Sequence, residues 1–593
     1  MTARHRQRLR LAPAGGMLLL AGASLGQTTA PQGVATASAP PLTLVDLQAA
    51  RRSQQVDLPG PGRQRGSLTL TALQPAVNAW FLLTLRGPGE TAATQYHLEN
   101  ADPAAQRVAL DPTRPGTLTL GSATPGSDLP GEGAAPCPLW PGPALAAARR
   151  SPLAYAPLCG GRLYLRNAVA GHRSTLEAGT ELLRDHVWRG EQVIGFVRRE
   201  FLQDAFAQRA RPADKPGDYP GRDPPTGAPP PARLADGATP RAVASDALGL
   251  GLADAVAPLR LGQWRALAGL DGIYLSAALP RALAAGAGAA ARPLALDPVE
   301  GEALALLVAF DLSAFELGFA LGTEHPRLGW SARVPPALRP PALPGPDGIA
   351  SAAPLVRTGQ LAPALQARAV ATFTGGFKRE HGAFRHGALA TVNRGSHYGF
   401  IEQGVVFSRL QPGLATLYVG QDGEVGMTTW RSEDDAGGLG RLRHARQNGV
   451  PLLERDPGGG TGRPGALIDQ WGAGNWSGSA DERLRTLRAG ACLVEAESRR
   501  FLVYGYFSTA TPRAMARVFQ AYACRYAMHL DMNALEHTYL ALYPRSGAQI
   551  GVEHLVSGMA ALDKQAGGAL VPRFLGYADD RDFFYLLTKA PHR

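Results

Sequence analysis

One carboxylate, Asp531, stands at the end of the apolar run Tyr526-Ala527-Met528-His529-Leu530. An acid placed where a buried strand leaves its sheet is well sited to hold a ligand or take part in catalysis, and it can equally cap the turn that follows. His529 and Asp531 are two apart on that strand and so share a face. His381, His386, His397, His529 and His537 crowd the same part of the chain. Joined by His537 or His554, the His529–Asp531 pair offers donor types that suit zinc or manganese. The spacing matches no established metal motif, and satisfied core or cleft histidines are the plainer reading, so no metal is assigned. A second feature is Gly375-Gly376, directly after the strand-like run Ala369-Val370-Ala371-Thr372-Phe373. Paired glycines there permit a sharp turn and close approach of backbone to a ligand, or an ordinary tight turn.

The elements around Asp531 read as strand, strand, helix, strand from Arg488 to Tyr543. Ala489 to Ala496 and Phe501 to Phe507 are short apolar runs separated by Glu497, Ser498, Arg499 and Arg500, which predicts a hairpin. Thr511 is placed as a helix N-cap with Pro512 at the first helical position, where its missing N–H is no loss. Met515, Val518, Phe519 and Tyr522 then fall on one face and Arg513, Arg517 and Gln520 on the other.

A chain of 593 residues calls for two or three domains, and a 45% hydrophobic content is enough for packed cores. The net charge of +11 comes from scattered Arg. With no basic arm or nucleic-acid motif beyond the first residues, no nucleic-acid partner is expected. Residues 1–30 have the layout of a secretory signal peptide: Arg4, Arg6, Arg8 and Arg10, then Gly16 to Ala23, then small residues. No Cys follows that apolar core and no later run is long enough to span a bilayer, so a soluble, periplasmic or secreted protein without stable membrane insertion is expected. Cys137, Cys159, Cys492 and Cys524 suit that compartment. Cys137 with Cys159 and Cys492 with Cys524 are plausible partners, but three connectivities are open, and buried thiols are the plain alternative.

Residues 31–65 read as a poorly ordered linker. Residues 66–210 read as a β-rich module of sandwich type followed by a helix, suited to binding or spacing and carrying nothing that looks catalytic. The stretch 211–245 is a Pro-rich linker, and 246–593 forms the C-terminal domain.

Four segments of that C-terminal domain resemble the phosphodiester glycosidase family, of which the uncovering enzyme, an N-acetylglucosamine-1-phosphodiester α-N-acetylglucosaminidase, is the animal member. They are Thr374-Gly375-Gly376-Phe377, Pro451 to Asp456, Arg488-Ala489-Gly490 and Leu530-Asp531. The resemblance covers roughly residues 300–590, about half of the chain. The family's Asn before the glycine pair is Thr374 here, and Met532-Asn533-Ala534 replaces three glycines, so Cβ atoms restrict backbone approach to a phosphate or sugar.

The fold the resemblance implies is α+β, a C-terminal mixed sheet with packed helices, preceded by the small β-rich module. The implied function is hydrolysis of a glycosyl phosphodiester in an envelope or extracellular glycan, without a cofactor. Asp531 would be the catalytic carboxylate, Arg488 a bidentate phosphate clamp, and Glu536 or Glu402 a proton donor. Thr374, Gly375, Gly376, Phe377, Asp456, His529 and Asn533 would bind substrate. The altered loop after Asp531 favours an alternative, an inactive glycan- or phosphate-binding protein of the same fold. A third reading is a metal-dependent hydrolase using the histidines.

Overall fold

The computed structural model describes residues 43–589 apart from 124–128, 132, 187–203, 213–224, 255–257, 285–295, 327, 331–335, 340, 342–343, 346–347, 378–398, 469–483, 497 and 548. The leader at 1–30 and His381, His386 and His397 lie outside the described residues.

The central sheet has eight strands, in the order Trp264–Leu267, Leu270–Ala278, Ala305–Asp311, Arg499–Ala510, Thr486–Ala496, Tyr526–Met532, Pro451–Glu454 and Arg463–Pro464. Its middle is the hairpin expected from the sequence, with Gly490 opposite Gly505. The helix Pro512–Ala521 lies on that pair, N-capped by Thr511, whose hydroxyl accepts from Ala514 N. A Cβ on Gly490 would come within 2.8 Å of Met515 Cε, and one on Gly505 within 3.0 Å of Phe519 Cζ. Two facing residues without side chains therefore let the helix's apolar face settle onto the strands.

A five-stranded sheet, Phe315–Ala320, Phe583–Thr588, Ala369–Thr374, Leu540–Leu542 and Glu553–His554, shares one hydrophobic core with the central sheet. A further five-stranded sheet brings in Phe400–Glu402, Val405–Ser408, Leu442–Gln447, Ala415–Gly420 and Val425–Thr429. Toward the N-terminus, a six-stranded sheet and the three-stranded sheet Gln106–Leu110, Thr117–Ser122 and Ala135–Pro138 enclose a second core containing Leu68, Leu83, Leu118 and Leu163. Pro41–Arg593 is one compact unit. Trp80 of the N-terminal sheet belongs to the main core, and the Tyr155 hydroxyl donates to Gln360 O. Disulfides join Cys137 to Cys159 and Cys492 to Cys524, with Cα–Cα distances of 5.6 and 5.8 Å.

The expected α+β class with a mixed sheet and packed helices is corrected by these elements. The described residues are 42% strand and 13% helix, and every pairing between the named strands is antiparallel. Hairpins join antiparallel neighbours directly, so no crossover helices are required. Among the described residues only Thr175–His186 and Pro512–Ala521 exceed two helical turns. Two stretches expected to be linkers also carry strands: Arg52–Pro59 pairs with Arg65–Ala72, and Ala242–Ala244 pairs with Leu259–Arg260. In Arg52–Pro59 polar residues alternate with Val56 and Leu58, which suits an edge strand with one face in water.

Candidate functional site

Asp531 is the penultimate residue of the buried strand Tyr526–Met532, and its side chain is 6% exposed. Arg581 Nη1 donates to Asp531 Oδ2 at 2.6 Å, and Arg581 Nη2 donates to Glu177 Oε1 at 2.6 Å. One buried guanidinium thus bridges two carboxylates. Burial by itself would lower the affinity of Arg581 for its proton, but Glu177 and Asp531 reverse that and hold it charged.

Past Asp531 the backbone turns at Asn533 with φ of 82°, a left-handed position that Asn tolerates better than most residues other than glycine. Asn533 is fixed there by its N–H to Leu487 O and by its side-chain oxygen, which accepts from Thr486 Oγ1. The turn leads into the short helix Leu535–His537. His537 Nδ1 donates to Met532 O at 2.6 Å and lies 4.0 Å from Asp531 Oδ1, while Nε2 lies 3.5 Å from Glu536 Oε1. Nε2 is therefore the imidazole nitrogen left to exchange a proton. Burial works to raise the Glu536 carboxyl, but His537, Ser174 and Arg581 outweigh it and hold it at about 2. Glu536 is ionised at neutral pH, which suits accepting a proton better than donating one.

Thr374 and Gly375 join this site. Thr374 Oγ1 donates to Glu536 O, and Gly375 N donates to Asp582 O. A Cβ on Gly375 would lie 2.7 Å from Asp582 Oδ2, so the approach requires glycine. Gly376 and Phe377 face a neighbouring polar cluster. Arg446 Nη2 donates to Phe377 O, Phe377 N donates to Asn448 Oδ1, and Asn448 Nδ2 donates to His529 O. The His529 ring meets Phe377 edge-on at 4.9 Å, and burial with the nearby Arg488 charge pushes it well below the usual imidazole range.

Four expected residues make their contacts elsewhere. Arg488 is fully buried, with Nε donating to Ala510 O, Nη2 to Leu484 O and Nη1 to Met532 Sδ. Asp456 sits in the turn before Arg463–Pro464, accepting from Gly458 N and pairing with Arg463 at 2.6 Å. Glu402 accepts from Leu321 N, and burial pushes it up to about 8. His554 pairs with Asp563 at 3.1 Å.

The sequence reading missed the charged run Asp579-Asp580-Arg581-Asp582, at most 2% exposed throughout. It runs into the strand Phe583–Thr588 and sends each side chain to a different partner. Asp579 accepts both forks of Arg573, Asp580 accepts from Arg173 Nε, and Asp582 takes Arg446 Nε at 2.7 Å with His325 Nδ1 also 2.7 Å away. Burial tends to raise Asp582, but Arg446 and His325 hold it well below the usual carboxylate range. Four charges abutting the apolar run Phe583-Phe584-Tyr585-Leu586-Leu587 were the available signal. Glu177 was also missed. Ser174 Oγ accepts from Glu177 N, so Ser174-x-x-Glu177 has the form of a helix-capping pair, yet Glu177 spends Oε1 on Arg581.

Ligand atoms of Glu177, Glu536 and His537 lie within 4.8 Å of one another, a donor set able to accept a cation. Arg581 already supplies positive charge to the same carboxylates. Among the described residues, no helix is long and apolar enough to cross a membrane.

No family model and no curated protein matches this chain. Among solved structures, the zebrafish N-acetylglucosamine-1-phosphodiester α-N-acetylglucosaminidase catalytic domain, auto-inhibited by its pro-peptide, is similar at 10% identity with a TM-score of 0.29, over 53% of this chain and 88% of that one. A hypothetical protein from Synechocystis is similar at 9% identity with a TM-score of 0.27, over 91% of this chain and 92% of that one.

Proposed function

We propose that this protein hydrolyses a glycosyl phosphodiester, with Asp531 as the carboxylate facing the anomeric carbon. The observation that carries the reading is the single Arg581 guanidinium paired with both Asp531 and Glu177 beside the His537–Glu536 pair. A fixed negative charge opposite the anomeric carbon stabilises the positive charge that grows there as the bond to the phosphate oxygen breaks. His537 and the ionised Glu536 orient a water; as its oxygen bonds to the anomeric carbon, His537 Nε2 takes its proton, and the phosphate monoester departs with the electron pair of the broken C–O bond. The four motif segments resembling phosphodiester glycosidases add support, since two of them, Thr374-Gly375 and Asp531, converge on this cluster through Glu536 and Asp582. The two disulfides fit action in an oxidising compartment outside the cytosol.

A second reading, recognition of such a ligand without turnover, is favoured by Arg488, whose donors go to backbone carbonyls and to Met532. A panel of sugar-1-phosphodiesters assayed with wild type and Asp531→Asn, with binding recorded in parallel, separates the two. Turnover lost only in the variant supports hydrolysis, and binding without turnover in both supports recognition.

A further inference from the structure

Between the N-terminal sheet and the segment 352–357 lies a cleft of about 620 Å³, within the range of small-ligand sites. Its walls come from Thr94–Asn100, from Leu163–Arg166 and from the loops that face them. Among the described residues three arginines line it, Arg149, Arg166 and Arg357, and none of the lining residues is Asp or Glu. Leu165, Val169 and Leu355 supply apolar wall.

The three arginines are not equivalent. Arg166 is fully buried and its charge is met by Glu99, with its remaining donors on Val356 O. Arg149 is exposed, lies over the Tyr96 ring at 4.9 Å and donates to Gln95 O. Arg357 donates from Nη1 to Pro326 O, and the acid acting on it, Glu324, is already paired with Arg173 at 3.0 Å. Burial pulls Arg357 below the usual guanidinium range, as expected of a cation short of counter-charge.

His97 fixes one wall of the cleft: it is 2% exposed, and its Nδ1 accepts from Val356 N at 2.9 Å, which ties the segment 352–357 to the strand Thr94–Asn100.

We propose that this cleft binds a small oxyanion, a phosphate or carboxylate carried on a sugar-sized body, with Arg357 and Arg149 supplying charge. This gives the N-terminal module a binding role that does not depend on Asp531. Fork-shaped guanidinium donors match either oxyanion, and the apolar wall packs against the ligand's carbon face.

Titration calorimetry of the full chain with glucose 1-phosphate, glucuronate and glucose tests it. Either acid should bind, more weakly as salt rises, while glucose should not. Arg357→Gln should weaken that binding by about tenfold or more. Ala93→Glu, on an exposed residue of the cleft wall, should abolish it without disturbing the fold. Asp531→Asn should bind the acid as wild type does, which separates this site from the proposed catalytic one. Binding unchanged in both Arg357→Gln and Ala93→Glu, equal binding of glucose, or no binding of either acid would each overturn the proposal.

Discussion

Replacing Glu402 with Gln should make the protein more stable at neutral and alkaline pH. Glu402 is buried beside Glu99 and Asp582, and burial, opposed in part by Arg166 and Leu321 N, takes it from 4.5 to about 8. For an acid whose folded value is raised, the native state holds a proton that the unfolded chain has released between those two values. Stability therefore falls as pH rises through that window, by about 1.4 kcal/mol per unit, and reaches a loss of about 3 kcal/mol at pH 7. The loss is absent below 4.5 and complete above 8. Gln keeps the acceptor for Leu321 N and cannot ionise, so Glu402→Gln should match wild type near pH 4 and exceed it by about 3 kcal/mol at pH 7. Urea denaturation at pH steps from 4 to 9 measures the difference, in which every other titrating group cancels. Parallel curves for the two proteins across that range would refute the reasoning.

Arg581→Met should destabilise the fold by about 3–5 kcal/mol, because it strands the Asp531 and Glu177 carboxylates; adding Asp531→Asn and Glu177→Gln should restore part of the loss in the same denaturation assay. Gly375→Ala should cost about 1–3 kcal/mol, since the new Cβ meets Asp582 Oδ2 at 2.7 Å, and a thermal melt reads it. Removing the Cys492–Cys524 disulfide, which closes a separation of 32 residues, should lower stability by about 3–4 kcal/mol, checked by unfolding Cys492→Ala/Cys524→Ala against wild type.

The centre of the fold was readable because its signals are local. Thr511 and Pro512 mark a helix start through cap chemistry alone, and the apolar runs on either side of Arg499 form the hairpin. Asp531 stood out because a charge ends an apolar run. The partners of Asp531 were not readable, because they come from far along the chain. Glu177 arrives from a helix some 350 residues earlier and Arg581 from a loop 50 residues later. Nothing in the spacing of Asp579-Asp580-Arg581-Asp582 says that four consecutive charges are buried, since such a run ordinarily sits in water. Among the described residues helices are few because antiparallel strands need no crossover helices, a matter of pairing that periodicity does not encode.

Central to this account is Asp531 as the carboxylate of a hydrolytic site. The most direct test is the kcat/KM of wild type and Asp531→Asn on a glycosyl phosphodiester, with melting temperatures taken alongside. The account expects turnover in wild type and a fall of about a thousandfold or more in the variant, with folding retained. Equal turnover by both proteins would contradict it.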